Sequence, residues 1–139
     1  IDGGYTGTIT AVNTDLITSL LASGYIVIVS PVAIGDEGEM LNVDGDSAAS
    51  AIASALKAEI LVLLTDVEGV MLDGGLVRRL TVGEALQMLK RIGPGMNRKV
   101  MAAARAVEAG VGAAYICGGG GEDPLENVEK GRATMISGL

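Results

Sequence analysis

The sequence predicts an α/β fold: a three-layer sandwich in which a mainly parallel sheet carries helices on both faces. Segments with strand and helix periodicity alternate along the chain, as they do when strands are joined by crossover helices. Tyr25–Ser30 and Ile60–Leu64 are continuous apolar runs, the pattern of strands buried on both faces. The 139 residues include 21 glycines but no Phe or Trp, so the core is aliphatic and the turns between short elements are tight. This length suits one domain with a real core, and no repeat or linker divides residues 1–139.

Taken in order, Ile1–Gly7 is a Gly-broken lead-in and Thr8–Val12 can form a short strand. Asn13 is placed to cap a helix with Leu16, Ile17, Leu20 and Leu21 on one face, and Gly24 ends it. Tyr25–Ser30 is the first buried strand. Pro31–Met40 reads as an irregular excursion with a turn at Gly35-Asp36-Glu37-Gly38. The Asn42–Asp46 turn opens a small-residue helix, Ser47–Lys57, with Asp46 at its N-cap. Ile60–Leu64 is the second strand and ends at Thr65-Asp66. Val70–Leu72, Asp73-Gly74 and Leu76-Val77 make a hairpin. Thr81 and Glu84 form a capping box, after which Val82, Ala85, Leu86, Leu89 and Ile92 face inward. Gly93-Pro94-Gly95 breaks that helix. The next runs from about Met96 to Ala109 with Met96, Val100, Ala103 and Val107 on one stripe. Val111–Cys117 is the third strand; a short helix near Pro124–Lys130 and a strand near Thr134–Ser137 close the chain.

Ten basic against 17 acidic residues leave a net charge of -7, which argues against a nucleic-acid surface. The single cysteine, Cys117, excludes an internal disulfide framework and fits a reducing cytoplasm. No apolar run reaches membrane-spanning length and no signal peptide is visible. The chain opens at Ile1 rather than Met, as a processed chain or a fragment does.

Three stretches carry the chemistry. Asn42 and Asp46 bracket a Gly-containing turn four residues apart, and a carboxylate there can accept first-turn amides or steer a cation. Thr65-Asp66-Val67-Glu68-Gly69 is a strand-to-turn segment at the rim where open α/β sheets bind ligands. Gly95-Met96-Asn97-Arg98-Lys99 sets flexible backbone before a helix whose second turn carries Lys99, a reasonable phosphate site. Gly118–Gly121 lacks the Lys-Ser/Thr ending of a P-loop and reads as a loop. No His is present.

Together these residues resemble the amino-acid kinase family, and within it the acetylglutamate and acetylaminoadipate kinase branch. The resemblance implies that Asn42 holds the acyl amino acid, and that Asp46 organises the catalytic lysines. It implies that Lys99 neutralises the phosphoryl group in flight, and that Asp66–Met71 (Asp66, Val67, Gly69, Val70 and Met71 among them) with Gly95 and Met96 contact ATP. Phosphoryl transfer needs positioning and positive charge more than a base, since a substrate carboxylate is already ionised. The cofactor implied is ATP with Mg²⁺ held mainly by the phosphates; no protein metal site is implied. Gly131-Arg132-Ala133-Thr134 is similar to the family's terminal Gly-x-Gly-Thr turn, with Ala133 in place of a glycine.

Tyr5-Thr6-Gly7-Thr8 looks like the lead-in of family members that phosphorylate aminoadipate or glutamate attached to an amino-group carrier protein, in lysine and arginine biosynthesis. The partner implied is that acidic carrier or a small acylamino acid, with no membrane and no nucleic acid. Arg78-Arg79, Lys90-Arg91 and Arg98-Lys99 could supply docking patches. The resemblance covers the carboxyl-terminal, nucleotide-binding half of the family's enzymes. Their amino-terminal Gly-rich loop, its lysine and the substrate-gripping arginine have no counterpart here. The chain alone is therefore expected to fold, bind nucleotide weakly and not turn over. A homo-oligomer stays open. Alternative readings are a relative acting on carbamate or UMP, and a non-catalytic nucleotide-binding module.

Overall fold

A computed structural model describes residues 4–121 and 123–138; the first three residues of the lead-in lie outside them. In chain order the elements are α1 (Asp15–Ala22), β1 (Val32–Ile34), β2 (Met40–Asn42), α2 (Gly45–Leu56), β3 (Ile60–Thr65), β4 (Met71–Leu72), β5 (Gly75–Leu76), β6 (Arg79–Thr81), α3 (Val82–Met88), α4 (Pro94–Glu108), β7 (Ala113–Gly118), α5 (Glu126–Glu129) and β8 (Ala133–Ser137).

The main sheet has the order β3-β7-β8-β6, with β1-β2 and β4-β5 as separate hairpins. β3 runs parallel to β7 and β6 to β8, while β7 and β8 are antiparallel. The sheet is thus mixed, with helices on both faces. The antiparallel step arises because α3 and α4 intervene between β3 and β7, whereas only the four-residue α5 separates β7 from β8.

α4 builds the core. Val100, Ala103, Ala104 and Ala106 are fully buried and meet Leu61, Leu63, Ala114, Ile116 and Ile136 from the sheet. Its alanines let α2 approach closely, and the buried Ser50 hydroxyl donates to the Ala102 carbonyl oxygen at 2.8 Å. The opposite face is covered by the segment around α5: the Cys117 thiol faces the Pro124 carbonyl at 3.9 Å. Burial pushes that thiol's pKa up, which leaves it inert.

Local expectations hold where short-range chemistry decides. Thr81 and Glu84 form the reciprocal capping box, with Glu84 Oε2 accepting from the Thr81 amide at 2.8 Å. Asp73 and Gly74 take positive φ of 50° and 83° in the tight turn between β4 and β5. Gly24, at φ 83°, ends α1.

Several expectations are corrected. Thr8–Val12 forms no strand; only Thr6 makes an isolated bridge, with Asn42. Tyr25–Ser30 is neither a strand nor buried, and Ile26 and Ile28 are 92% and 94% exposed. No described segment hydrogen-bonds along it, so its apolar character alone does not make a ladder. β3 is buried on alternate residues only, because it is an edge strand in the described sheet. Pro31–Met40 is more regular than expected: β1 and β2 pair across the Gly35–Gly38 turn. α4 begins at Pro94, which suits a first helical position because it lacks the N–H that would be orphaned there.

Candidate functional site

α2 precedes β3 and α4 precedes β7, and β3 and β7 are parallel. Each helix runs back along its strand, so both N-termini lie at the rim where the strands end. Asp66, immediately after β3, sits on that rim too. The topology therefore gathers Asp44–Asp46, Asp66 and Pro94–Lys99 at one end of the sheet.

Within that rim one contact is direct. Lys99 Nζ donates to Asp46 Oδ1 at 2.9 Å and to Oδ2 at 3.2 Å, 53 residues apart in the chain. Each side chain is 22% exposed, so the pair is sheltered yet reachable. Asp46 is not the helix cap that the sequence predicts. Asp44 is: its Oδ2 accepts from the Ser47 amide and from the Ser47 hydroxyl, both at 2.8 Å. Asp-x-x-Ser fits that cap as well as Asp46 fits the next register, and the Ser47 hydroxyl adds the deciding bond. Those two Ser47 bonds, followed by the charges of Arg98 and Lys99, hold the Asp44 carboxyl below its ordinary pKa. Freed from capping, Asp46 can hold the lysine.

The start of α4 is open. Gly93 at the N-cap offers no side chain, Pro94 has no N–H, and a Cβ placed on Gly95 would meet nothing within 4 Å. The Gly95 and Met96 amides are first-turn N–H groups with no intrahelical acceptor, the arrangement that favours an anion. Gly95 is exposed and Met96 half-buried.

The Asp66–Met71 segment divides in two. Asp66, Val67 and Met71 are exposed, with Thr65 Oγ1 donating to Asp66 Oδ1 at 3.1 Å. Gly69 and Val70 point inward. A Cβ on Gly69 would fall 2.8 Å from both Leu76 Cδ1 and Thr134 Oγ1. Val70 is completely buried; its amide donates to Thr134 Oγ1 at 2.8 Å and its carbonyl accepts from Val77. These two residues shape the floor beneath the turn, and the surface open to a ligand is Asp66–Glu68 with Met71.

Asn42 ends β2 with its backbone bonded to Tyr5 and Gly7, while its side chain is exposed and makes no hydrogen bond to a described residue. It is four residues from Asp46 but on the hairpin side of the turn.

Thr134 and Gly118 were missed as structural parts of this rim. Thr134 is wholly buried, donating to the Val77 carbonyl at 2.6 Å while accepting from Val70, and so ties the β4-β5 hairpin to β8. A Cβ on Gly118 would lie 3.2 Å from the Val67 carbonyl oxygen, so the glycine lets the Asp66–Gly69 turn settle on the end of β7. The strand-end glycines were visible in the sequence; their packing partner was not.

A cleft of about 540 Å³ is not centred on Lys99. It lies between α2 and α4 on the face carrying Asp44, Arg98 and Arg105. Lys99 follows Arg98 and projects about 100° further round the helix. The Lys99–Asp46 chemistry belongs to the rim rather than to that cleft.

The three basic pairs split. Arg78 donates to the Gly131 carbonyl, Arg91 pairs with Asp73 at 3.2 Å and Lys99 pairs with Asp46, leaving Arg79, Lys90 and Arg98 without side-chain partners among the described residues. No group of three or more His, Cys, Asp or Glu side chains comes together there to hold a metal ion. No helix of the described residues is long and apolar enough to cross a membrane.

Comparison with known proteins gives the rim its context. The sequence pattern of the amino acid kinase family matches residues 1–118. The LysW-aminoadipate/LysW-glutamate kinase of Sulfolobus acidocaldarius is 50% identical over 137 residues, 98% of this chain and 52% of its own length. The enzyme of the same name from Sulfurisphaera tokodaii is 47% identical over 137 residues, again 98% of this chain and 52% of its own. The structure of N-acetylglutamate synthase from Neisseria gonorrhoeae, complexed with coenzyme A and L-arginine, superposes with a TM-score of 0.90 at 28% identity, covering 100% of this chain and 34% of that one. The chain spans about half the length of the curated relatives it matches. By the family pattern that runs through most of its length, this chain belongs to the amino acid kinase family.

Proposed function

We propose that this chain supplies the nucleotide-binding half of a kinase that moves the γ-phosphoryl group of ATP onto a side-chain carboxylate, making an acyl phosphate. The acceptor is aminoadipate or glutamate whose amino group is acylated, either by acetyl or by an acidic amino-group carrier protein. The kinases named for such carrier-linked acceptors, about 50% identical to this chain, support the acceptor class. The observation that carries the proposal is Lys99, held on Asp46 beside the uncapped start of α4.

On this reading each residue has a task. Asp46 holds the Lys99 side chain at the rim through its two oxygens, while Lys99 retains N–H capacity for a phosphate oxygen. Because the pair is close to neutral, the Gly95 and Met96 amides must share the phosphate's charge. Asp66, Val67 and Met71 line the exposed side of the turn where the nucleoside would rest, above the Gly69–Val70 floor. Asn42 is free to bind the acyl amino acid. Asp46 is taken up by Lys99 and only Oδ2 of Asp44 by Ser47, so a magnesium ion would take its oxygens mainly from the phosphates. Of the three basic pairs, Arg79 and Lys90 are the members left to meet an acidic carrier.

Alone, this chain binds nucleotide weakly and does not turn over, since one lysine faces a group with several negative charges. Calorimetry with MgATP tests the site: Lys99→Ala should weaken binding about ten- to a hundredfold, the loss of one charge-assisted contact. Unchanged affinity would overturn the assignment. An ADP-release assay tests the division of labour, with turnover expected only after mixing with a separately expressed amino-terminal half of a relative.

A further inference from the structure

The cleft between α2 and α4 has no part in the rim chemistry, yet it collects an unusual set of charges for a chain of net charge -7. Arg98 and Arg105 both line it. They stand seven residues apart on α4, about two turns and 10 Å along the axis, on one face. Neither makes an ion pair or side-chain hydrogen bond to another described residue. Asp44 lines the same cleft from the start of α2. Its carboxylate is held ionised by Ser47 and feels the Arg98 charge without pairing with it. Between the charges lie the apolar surfaces of Ala51, Leu89 and Met101.

Two guanidiniums, one carboxylate and an aliphatic floor define a complementary ligand. It carries two anionic groups, one cationic group and a short methylene spine, with net charge of minus one. A volume of about 540 Å³ lies within the usual range for small-molecule sites. We infer that this cleft is a binding site for a small amino dicarboxylic acid, its carboxylates on Arg98 and Arg105 and its ammonium on Asp44. This assignment is independent of phosphoryl transfer. It places the ligand one helical face away from Lys99, on the helix that carries Lys99, so occupancy would restrain α4 without filling the rim.

The test is calorimetric titration of this chain with L-glutamate, glutarate and 4-aminobutyrate, repeated with saturating MgATP. Glutamate is expected to bind most tightly. Glutarate lacks the ammonium and 4-aminobutyrate one carboxylate, and each should bind at least tenfold more weakly. Arg105→Gln should weaken glutamate at least tenfold, and Arg98→Gln likewise; both side chains are exposed, so thermal melts should stay unchanged. Asp44→Asn preserves a good helix cap. It should erase the preference for glutamate over glutarate while leaving the fold intact. Glutamate that gives no heat, binds equally to Arg105→Gln, or is displaced by MgATP would each overturn the assignment. Loss of binding in Lys99→Ala would do so too, by moving the ligand to the rim.

Discussion

Tyr25–Ser30 and Ile60–Thr65 are almost interchangeable as sequences, six residues each of mostly β-branched and aliphatic character, yet only the second is a strand. The wider regions differ in the same way. Among the described residues none before Val43 is buried, while the whole core lies between Val43 and Ile136. The difference is one of partners. β3 lies in register with β7 from Ile60↔Ala113 to Thr65↔Gly118, and α4 covers that pair. Tyr25–Ser30 has Ala48, Ala49, Ile52 and Leu61 nearby on one side, but no ladder beside it. Apolar sequence creates a demand for burial, and only a neighbouring strand satisfies the backbone that burial would strand.

The sharpest test of that contrast is a pair of equal truncations. Ile116→Ala, in the sealed centre of β7, should cost about 2–5 kcal/mol in transfer and cavity terms. Ile28→Ala, at 94% exposure, should stay within about 0.5 kcal/mol. Urea unfolding of the two variants would break the comparison if Ile28→Ala lost as much as Ile116→Ala, for Ile28 would then be buried in solution. Next in size is Thr134→Val, which keeps the shape but leaves the Val70 amide and the Val77 carbonyl unpaired in the core. About 1–3 kcal/mol should be lost. A normal melt would show that the hairpin is not anchored to β8 through this hydroxyl.

How much was legible follows the same division. The capping box at Thr81, the Asp73-Gly74 turn and the stripe on α4 rest on contacts within a few residues, and the sequence displays those. Lys99 and Asp46 were each identified as functional, and the structure brings them together. Their contact depends on two helices crossing 53 residues apart, which no local pattern encodes. The cap at Asp44 rather than Asp46 turned on one hydroxyl, Ser47. Thr134 was hidden because its role needs the hairpin and β8 both in place. The strand expected at Tyr25–Ser30 failed for the opposite reason: its local signal is strong, and its outcome is set by what lies beside it.

Asp44→Ala should cost about 1 kcal/mol, the usual loss for a helix cap. Its pH dependence follows from a folded pKa held below the ordinary 3.8 by the Ser47 bonds. A depressed carboxylate stabilises fully above its unfolded pKa and loses that contribution as pH falls through the folded value. The gap between Asp44→Ala and the parent should therefore be full at neutral pH and shrink at pH below 3.8. A gap that widened on acidification would reverse the sign and remove Asp44 as the ionised cap.

The smallest effect on stability separates the neighbouring carboxylate from that cap. Asp46→Asn removes the charge opposite Lys99 but leaves the Asp44–Ser47 bonds intact. Its side chain is 22% exposed, so solvent already screens part of the pair's attraction. The retained amide can still accept from the ammonium, and the expected loss is about 0.2–1 kcal/mol. Nucleotide affinity should move the other way. With Asp46 neutral, the rim loses a negative charge beside the phosphate position, so MgATP should bind at least as tightly as to the parent while Lys99→Ala binds more weakly. Thermal melts and calorimetry on the two variants read both quantities at once. If Asp46→Asn weakened MgATP as much as Lys99→Ala does, the carboxylate's full charge, and not an acceptor oxygen alone, would be needed to hold the ammonium in place. A melt depressed as far as that of Asp44→Ala would return Asp46 to the capping role that the sequence first assigned it.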